Sequence, residues 1–198
     1  MIASIPFSKL LGGLLAAAAL TLGVSAGASE VGGVKLEPAV RVANQDLKLN
    51  GAGIRYRAVF RVYVGALYLP QKSRNVQEIL AMPGPRRVTL VMLREINNEE
   101  LGRAFIAGIN QNSDRNEKAK IIPQLQAFGE VFASVPELKK GDTLTTDWIP
   151  GQGTVVHLNG RRVSEVIPGI EFYNALLRIW LGEKPADAGL KTAMLAAE

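Results

Sequence analysis

The sequence has no cysteine and a single histidine, His157. The first absence excludes disulfides, zinc–thiolate sites, iron–sulfur clusters and a thiol nucleophile. It also excludes a lipoprotein anchor, which needs a cysteine to acylate. One imidazole is too few for a typical multi-histidine metal site, so neither a metal nor a cofactor is expected. Aromatic residues are only 6% of the chain. Charge leans one way without clustering: 23 Lys and Arg stand against 18 Asp and Glu, a net charge of +5. The basic residues are scattered, with no run dense enough for a nucleic-acid arm, and no nucleic-acid partner is expected. The excess fits solvated surface charge, with a lesser preference for anionic ligands or a peripheral contact with anionic lipid.

What is present points to one ordinary folded domain: 198 residues, 47% hydrophobic and 21% charged. Residues 1–28 stand apart. Their one charged side chain is Lys9, and the mostly apolar run Leu10 to Leu22 follows it. Thirteen residues fall short of the ~20 that a spanning helix needs. Small residues then lead to Ala26-Gly27-Ala28. A basic start, an apolar middle and an A-x-A cue are the pattern of a secretory signal peptide. Cleavage after Ala28 would leave residues 29–198 as the domain and place it in a periplasm, where a chain without thiols is indifferent to oxidation. An uncleaved N-terminal anchor is the alternative.

The mature chain opens with strand patterns. Gln45 to Leu49 alternates toward an expected turn at Asn50-Gly51-Ala52-Gly53. Ile54 to Leu69 is rich in β-branched and aromatic residues, alternates in part, and is long enough for a bend or hairpin, with Gly65 as a candidate bulge. Asn75 is placed to cap a short helix, Val76 to Ala81. A strand from Arg86 to Leu93 follows the Pro83-Gly84-Pro85 turn. Asn98, ahead of Glu99 and Glu100, reads as the cap of a helix carrying Leu101, Ala104, Phe105 and Ile109 on one face. Helical spacing continues from about Arg115 to Phe132, where Pro123 must kink the helix or start another. Strands at Thr143 to Ile149, Thr154 to Leu158 and Arg161 to Val166 are joined by tight turns, one of them Asn159-Gly160. Pro168 to Leu181 reads as a helix stopped by Gly182, and Asp187 as the cap of a last one. Strands, helices, strands, helix is the order of an α+β fold: a large antiparallel sheet covered on one face by helices.

Three segments carry a resemblance. Leu49-Asn50-Gly51-Ala52-Gly53-Ile54-Arg55 with Val62 to Leu69 resembles the chalcone isomerase-like family. Asp147-Trp148-Ile149-Pro150-Gly151-Gln152-Gly153-Thr154 is similar to its bacterial exported members, as is Gly169 to Leu177 running on through Trp180 to Glu183. The resemblance spans about residues 32–197. It implies an open-faced β-sandwich with a ligand cleft between sheet and helices. The family includes isomerases that cyclise chalcones, fatty-acid-binding proteins and non-catalytic helpers, so fold alone does not decide the activity.

Carried over by position, the family's arginine after the glycine turn falls on Arg55. Its next functional position, a tyrosine in the fatty-acid binders, falls on Tyr63. Three further polar positions of the isomerases fall near Leu101, Gly108 and Ile179, which are apolar or glycine here. The resemblance therefore implies a binder of a small amphiphilic anion such as a fatty acid, with Arg55 and Tyr63 as ligand-binding residues and no catalytic residue. The alternatives are an isomerase or lyase performing intramolecular conjugate addition, and an interaction module with a vestigial cleft.

The residue chemistry is consistent with a binder. A guanidinium matches a carboxylate with paired donors. A phenol on the same face would add a hydrogen bond, and Arg55 and Tyr63 share a face if they lie on one continuous strand. The plainer alternative is that Arg55, Arg57 and Arg61 line a solvated sheet face. His157 reads as a sheet-face residue without an acid partner. Asp142 and Asp147 read as turn caps. Ser134 and Ser164 lack a nucleophile context. Gly51, Gly53, Gly151 and Gly153 read as turn glycines rather than a phosphate loop.

Overall fold

The computed structural model describes residues 29–135 and 137–196. The expected signal peptide, residues 1–28, lies outside the described residues. The strands are β1 (Ser29–Val31), β2 (Val34–Leu36), β3 (Ala39–Val42), β4 (Gln45–Arg57), β5 (Phe60–Leu69), β6 (Arg86–Met92), β7 (Ile96–Asn97), β8 (Glu137–Leu138), β9 (Thr143–Ile149), β10 (Gly153–Leu158) and β11 (Arg161–Arg162). The helices are α1 (Val76–Ala81), α2 (Asn98–Asn112), α3 (Arg115–Lys120), α4 (Ile122–Ser134), α5 (Ile170–Leu181) and α6 (Ala188–Met194).

Seven strands form one antiparallel sheet in the order β11-β10-β9-β6-β5-β4-β3. Helices α2 to α4 are inserted between β6 and β9, which pair directly, Val88 opposite Thr146. Val62, Tyr63, Leu67 and Leu69 of β5 and Val88, Leu90 and Met92 of β6 face the helices and form the main core with α2, α4 and α5. The alternate residues Val64, Ala66 and Tyr68 face the other way, into a smaller cluster with Leu36 under the β1–β2 hairpin. The α+β expectation holds, with helices on one face of the sheet.

Local chemistry explains most elements. Asn75 caps α1, accepting from the Gln77 and Glu78 amides. Asn97 rather than Asn98 caps α2, because its side chain accepts from the Glu100 amide at 2.8 Å. Asp114 and Glu117 form a capping box on α3, and Pro123 sits in the first turn of a separate α4, so the proline starts a helix instead of kinking one. Asn159 and Gly160 both take positive φ, as the β10–β11 hairpin requires. That last strand is shorter than expected, stopping at Arg162.

Two expectations about β4 and β5 are corrected. No turn occurs at residues 50–53; β4 runs unbroken through them, and the turn is Ala58-Val59 between the paired Arg57 and Phe60. Gly51 and Gly53 are there because α6 lies against the strand. A Cβ on Gly53 would sit 2.6 Å from Ala193 Cβ, and one on Gly51 would strike the Ala193 carbonyl oxygen. Gly65, opposite Gly53, is regularly paired rather than bulged and underlies Leu190 of the same helix. The irregularities fall at Asn50, between the Leu49 and Gly51 pairs, and at Val62, between the Arg55 and Tyr56 pairs. Asn50, buried at its bulge, donates to the Met194 carbonyl at 2.8 Å and to the Ser73 carbonyl at 3.0 Å.

Candidate ligand cleft

The Val62 bulge shapes the end of the sheet. It turns Val62 to the same side as Tyr63, toward the helices. There a cleft of about 440 Å³ opens between the β4–β5 ribbon and α2. Val62, Leu101, Ala104 and Gly108 supply its apolar wall; Arg55, Arg57, Arg103 and Glu100 supply its charge. Three guanidiniums against one carboxylate favour an anion.

Arg55 and Tyr63 are brought together, though not along one strand. They are direct cross-strand partners in the β4–β5 hairpin, which puts them on one face. The Arg55 guanidinium lies over the Tyr63 ring, 5.4 Å from its centroid, within cation–π range. Its Nε is buried and has no hydrogen-bond partner among the described residues. Tyr63 is 2% exposed and does not line the cleft; it backs Arg55. Its hydroxyl accepts from Trp180 Nε1 at 2.9 Å, which leaves the phenolic proton for donation. Burial pushes this phenol above its usual range, and the Arg55 charge offsets part of the rise.

Glu100 is held between arginines. Its Oε1 accepts from Arg57 at 3.0 Å and also from Arg94. The Arg94 hydrogen bond, more than any other influence, holds its carboxyl below the usual carboxylate range. Arg57, Glu100 and Arg103 were not singled out as ligand residues by sequence reasoning. The i, i+2 spacing of Arg55 and Arg57 on a strand was the available sign for Arg57.

The three positions where isomerases are polar gather at this wall. Leu101 and Gly108 line the cleft, and Ile179 packs behind Gly108, its Cγ2 2.8 Å from where a Cβ would stand. Gly108 thus lets α5 approach α2 closely, and the wall there is hydrocarbon.

The other resemblance motifs also build the far end of the sheet. Arg86, Trp148 and Thr154 are aligned across β6, β9 and β10. Arg86 is 1% exposed; its Nη1 donates to the Ile79 and Leu80 carbonyls at the C-terminus of α1, at 2.8 and 3.1 Å, and to Asn174 Oδ1 at 3.2 Å. Its guanidinium also lies 5.3 Å from the Tyr173 ring centroid. Asp147 is no turn cap: it is buried and bound bidentately by Arg87, both contacts 2.6 Å. His157, two residues along β10 from the Asp147 partner Val155, has that acid 3.7 Å from its Nδ1, a neighbour its sequence surroundings do not reveal. Asp142 does cap a turn, accepting from the Lys139 amide at 2.7 Å.

Comparison with known proteins agrees with this architecture. No curated protein matches the sequence. The crystal structure of an Arabidopsis thaliana fatty-acid-binding protein superposes with a TM-score of 0.65 at 16% identity, over 83% of this chain and 92% of that one. At that identity the likeness is one of fold. A family model described as chalcone isomerase-like matches residues 28–196, nearly the whole described chain, and the chain therefore belongs to the chalcone isomerase-like family.

Proposed function

We propose that the protein binds a small amphiphilic anion, such as a fatty acid, in the cleft beside Arg55, without turning it over. The observation that carries this reading is the Arg55 guanidinium lining the cleft beside an apolar wall. A carboxylate docked there would take charge-assisted hydrogen bonds from the guanidinium, and the tail would lie along Val62, Leu101 and Ala104. Tyr63 orients the guanidinium from behind. The fatty-acid-binding protein of the same fold lends support. The hydrocarbon at Leu101, Gly108 and Ile179 argues against an isomerase, which needs polar groups to place a substrate oxygen and move a proton.

The test is displacement of a fluorescent fatty acid. Arg55→Ala removes charge-assisted hydrogen bonds and weakens binding about tenfold to a hundredfold. Equal affinity in the variant removes Arg55 from the site. Incubation with a naringenin-type chalcone gives no cyclisation above the buffer rate; turnover above buffer would establish the isomerase reading instead. We also propose export to a periplasm with removal of residues 1–28. N-terminal sequencing of the exported protein then begins at Ser29.

A further inference from the structure

The turn of the β4–β5 hairpin is built from residues the fold does not need there. Tyr56, Val59 and Phe60 are 48%, 83% and 65% exposed, and they are three of the five large apolar residues left exposed among the described residues. Their immediate neighbours are Arg57 and Arg61, both exposed. Ala58 takes φ +53°, a backbone region that favours glycine or asparagine. The tip therefore carries Ala-Val and an aromatic pair where turn chemistry calls for small polar residues. Neither hydrophobic cluster of the core includes Tyr56, Val59 or Phe60.

Position gives this patch a meaning. Arg57, paired directly with Phe60, lines the cleft, and so does Arg55. The tip is thus the rim of the cleft. The charge around it is basic: Arg55, Arg57, Arg61 and Arg94 against Glu100, which holds Arg57 and Arg94, and Asp187, which accepts from the Tyr56 amide at 2.9 Å. Four cations face two carboxylates. Exposed aromatic and aliphatic side chains beside arginines match a lipid interface, where rings sit among headgroups and guanidiniums meet anionic phosphates.

We propose that the Tyr56–Arg61 hairpin tip inserts into the surface of an anionic lipid bilayer and holds the mouth of the cleft against it. An amphiphile then passes between membrane and cleft without its tail crossing water. That transfer role rests on the amphiphile reading above; the docking rests on the tip alone. A protein partner and a second copy of this chain are the competing occupants.

The experiment is vesicle co-sedimentation of the chain as purified from cells. Phosphatidylcholine–phosphatidylglycerol vesicles are compared with phosphatidylcholine alone. The protein is expected to sediment with the anionic vesicles, less with neutral ones, and less at high salt. V59S/F60S is expected to lose at least about tenfold in binding, and Arg61→Gln roughly fivefold. These side chains are exposed, so both variants keep the wild-type circular dichroism spectrum. Fatty-acid displacement in the same variants is expected to stay at the wild-type level, whereas Arg55→Ala loses displacement and still sediments. Displacement failing in the wild type while tip-dependent sedimentation persists would sink the ligand reading and leave the docking standing. Equal sedimentation of V59S/F60S and wild type would overturn the docking. So would a concentration-dependent dimer, seen in analytical ultracentrifugation, that V59S/F60S abolishes.

Discussion

The two ends of the sheet differ in how they treat charge. At the β6–β9–β10 end, Arg86, Arg87 and Asp147 are drawn into the protein, and their partners are fixed carbonyls, an amide and one another. At the β4–β5 end, Arg55 and Arg57 border an open cleft. Of the three motif segments that carry the family resemblance, one holds Arg55 and Tyr63, one builds β9 and β10 at the closed end, and α5 joins the two, with Tyr173 against Arg86 and Trp180 bonded to Tyr63. That division teaches where to look for activity. The recognisable sequence carries Arg55 and Tyr63 as well as the frame, while Arg57, Glu100 and Arg103 at the cleft lie outside its motifs.

Substitutions can break this contrast. Asp147→Ala leaves Arg87 without its partner and is expected to cost about 3–5 kcal/mol in urea unfolding. A loss under about 1 kcal/mol, the value usual for exposed pairs, would make the closed end no different from the open one. Alkaline pH attacks the buried phenols together. Burial raises Tyr63 and Tyr173 above their usual range and pushes Tyr68 up to about 12. A raised folded value means that stability is fully present below about pH 10 and is lost as pH rises through the folded values. Phenolate absorbance of these three tyrosines should therefore appear together with the loss of near-ultraviolet circular dichroism. Phenolate appearing while that spectrum stays native would show that they are not sealed. Gly53→Ala drives a methyl group into Ala193 and is expected to cost about 1–3 kcal/mol. At the other extreme, Ala58→Gly relieves the positive φ at the open tip and should raise stability by up to ~1 kcal/mol, read as a small increase in the urea midpoint.

The helices and the β9–β10–β11 turns were legible in the sequence because their determinants are local. Asn75, Asp187 and Asn159-Gly160 act on amides or dihedrals within a few residues. The glycines of β4 misled for the opposite reason. Gly51 and Gly53 look like a turn, yet what requires them is α6, more than 130 residues later in the chain. The same holds for buried Asp147, whose half-buried partner Arg87 on β6 is set by strand register rather than by neighbours in sequence. Arg55 and Tyr63 do share a face, although the reason is pairing across a hairpin instead of spacing along one strand. The exposed tip follows from the same displaced turn: only when the reversal is put at Ala58-Val59 do Val59 and Phe60 become its apex.

The seat of α6 on the glycine track of β4 has a kinetic side. A chain that emerges N-terminus first presents β4 long before residues 188–194 exist to cover it. Until then Asn50 lacks the Met194 carbonyl, and the flat strip around Gly53 stays bare. Packing on this strip waits until residues 188–194 have left the ribosome, so the β4–β5 ribbon must first hold together on its own strand pairing.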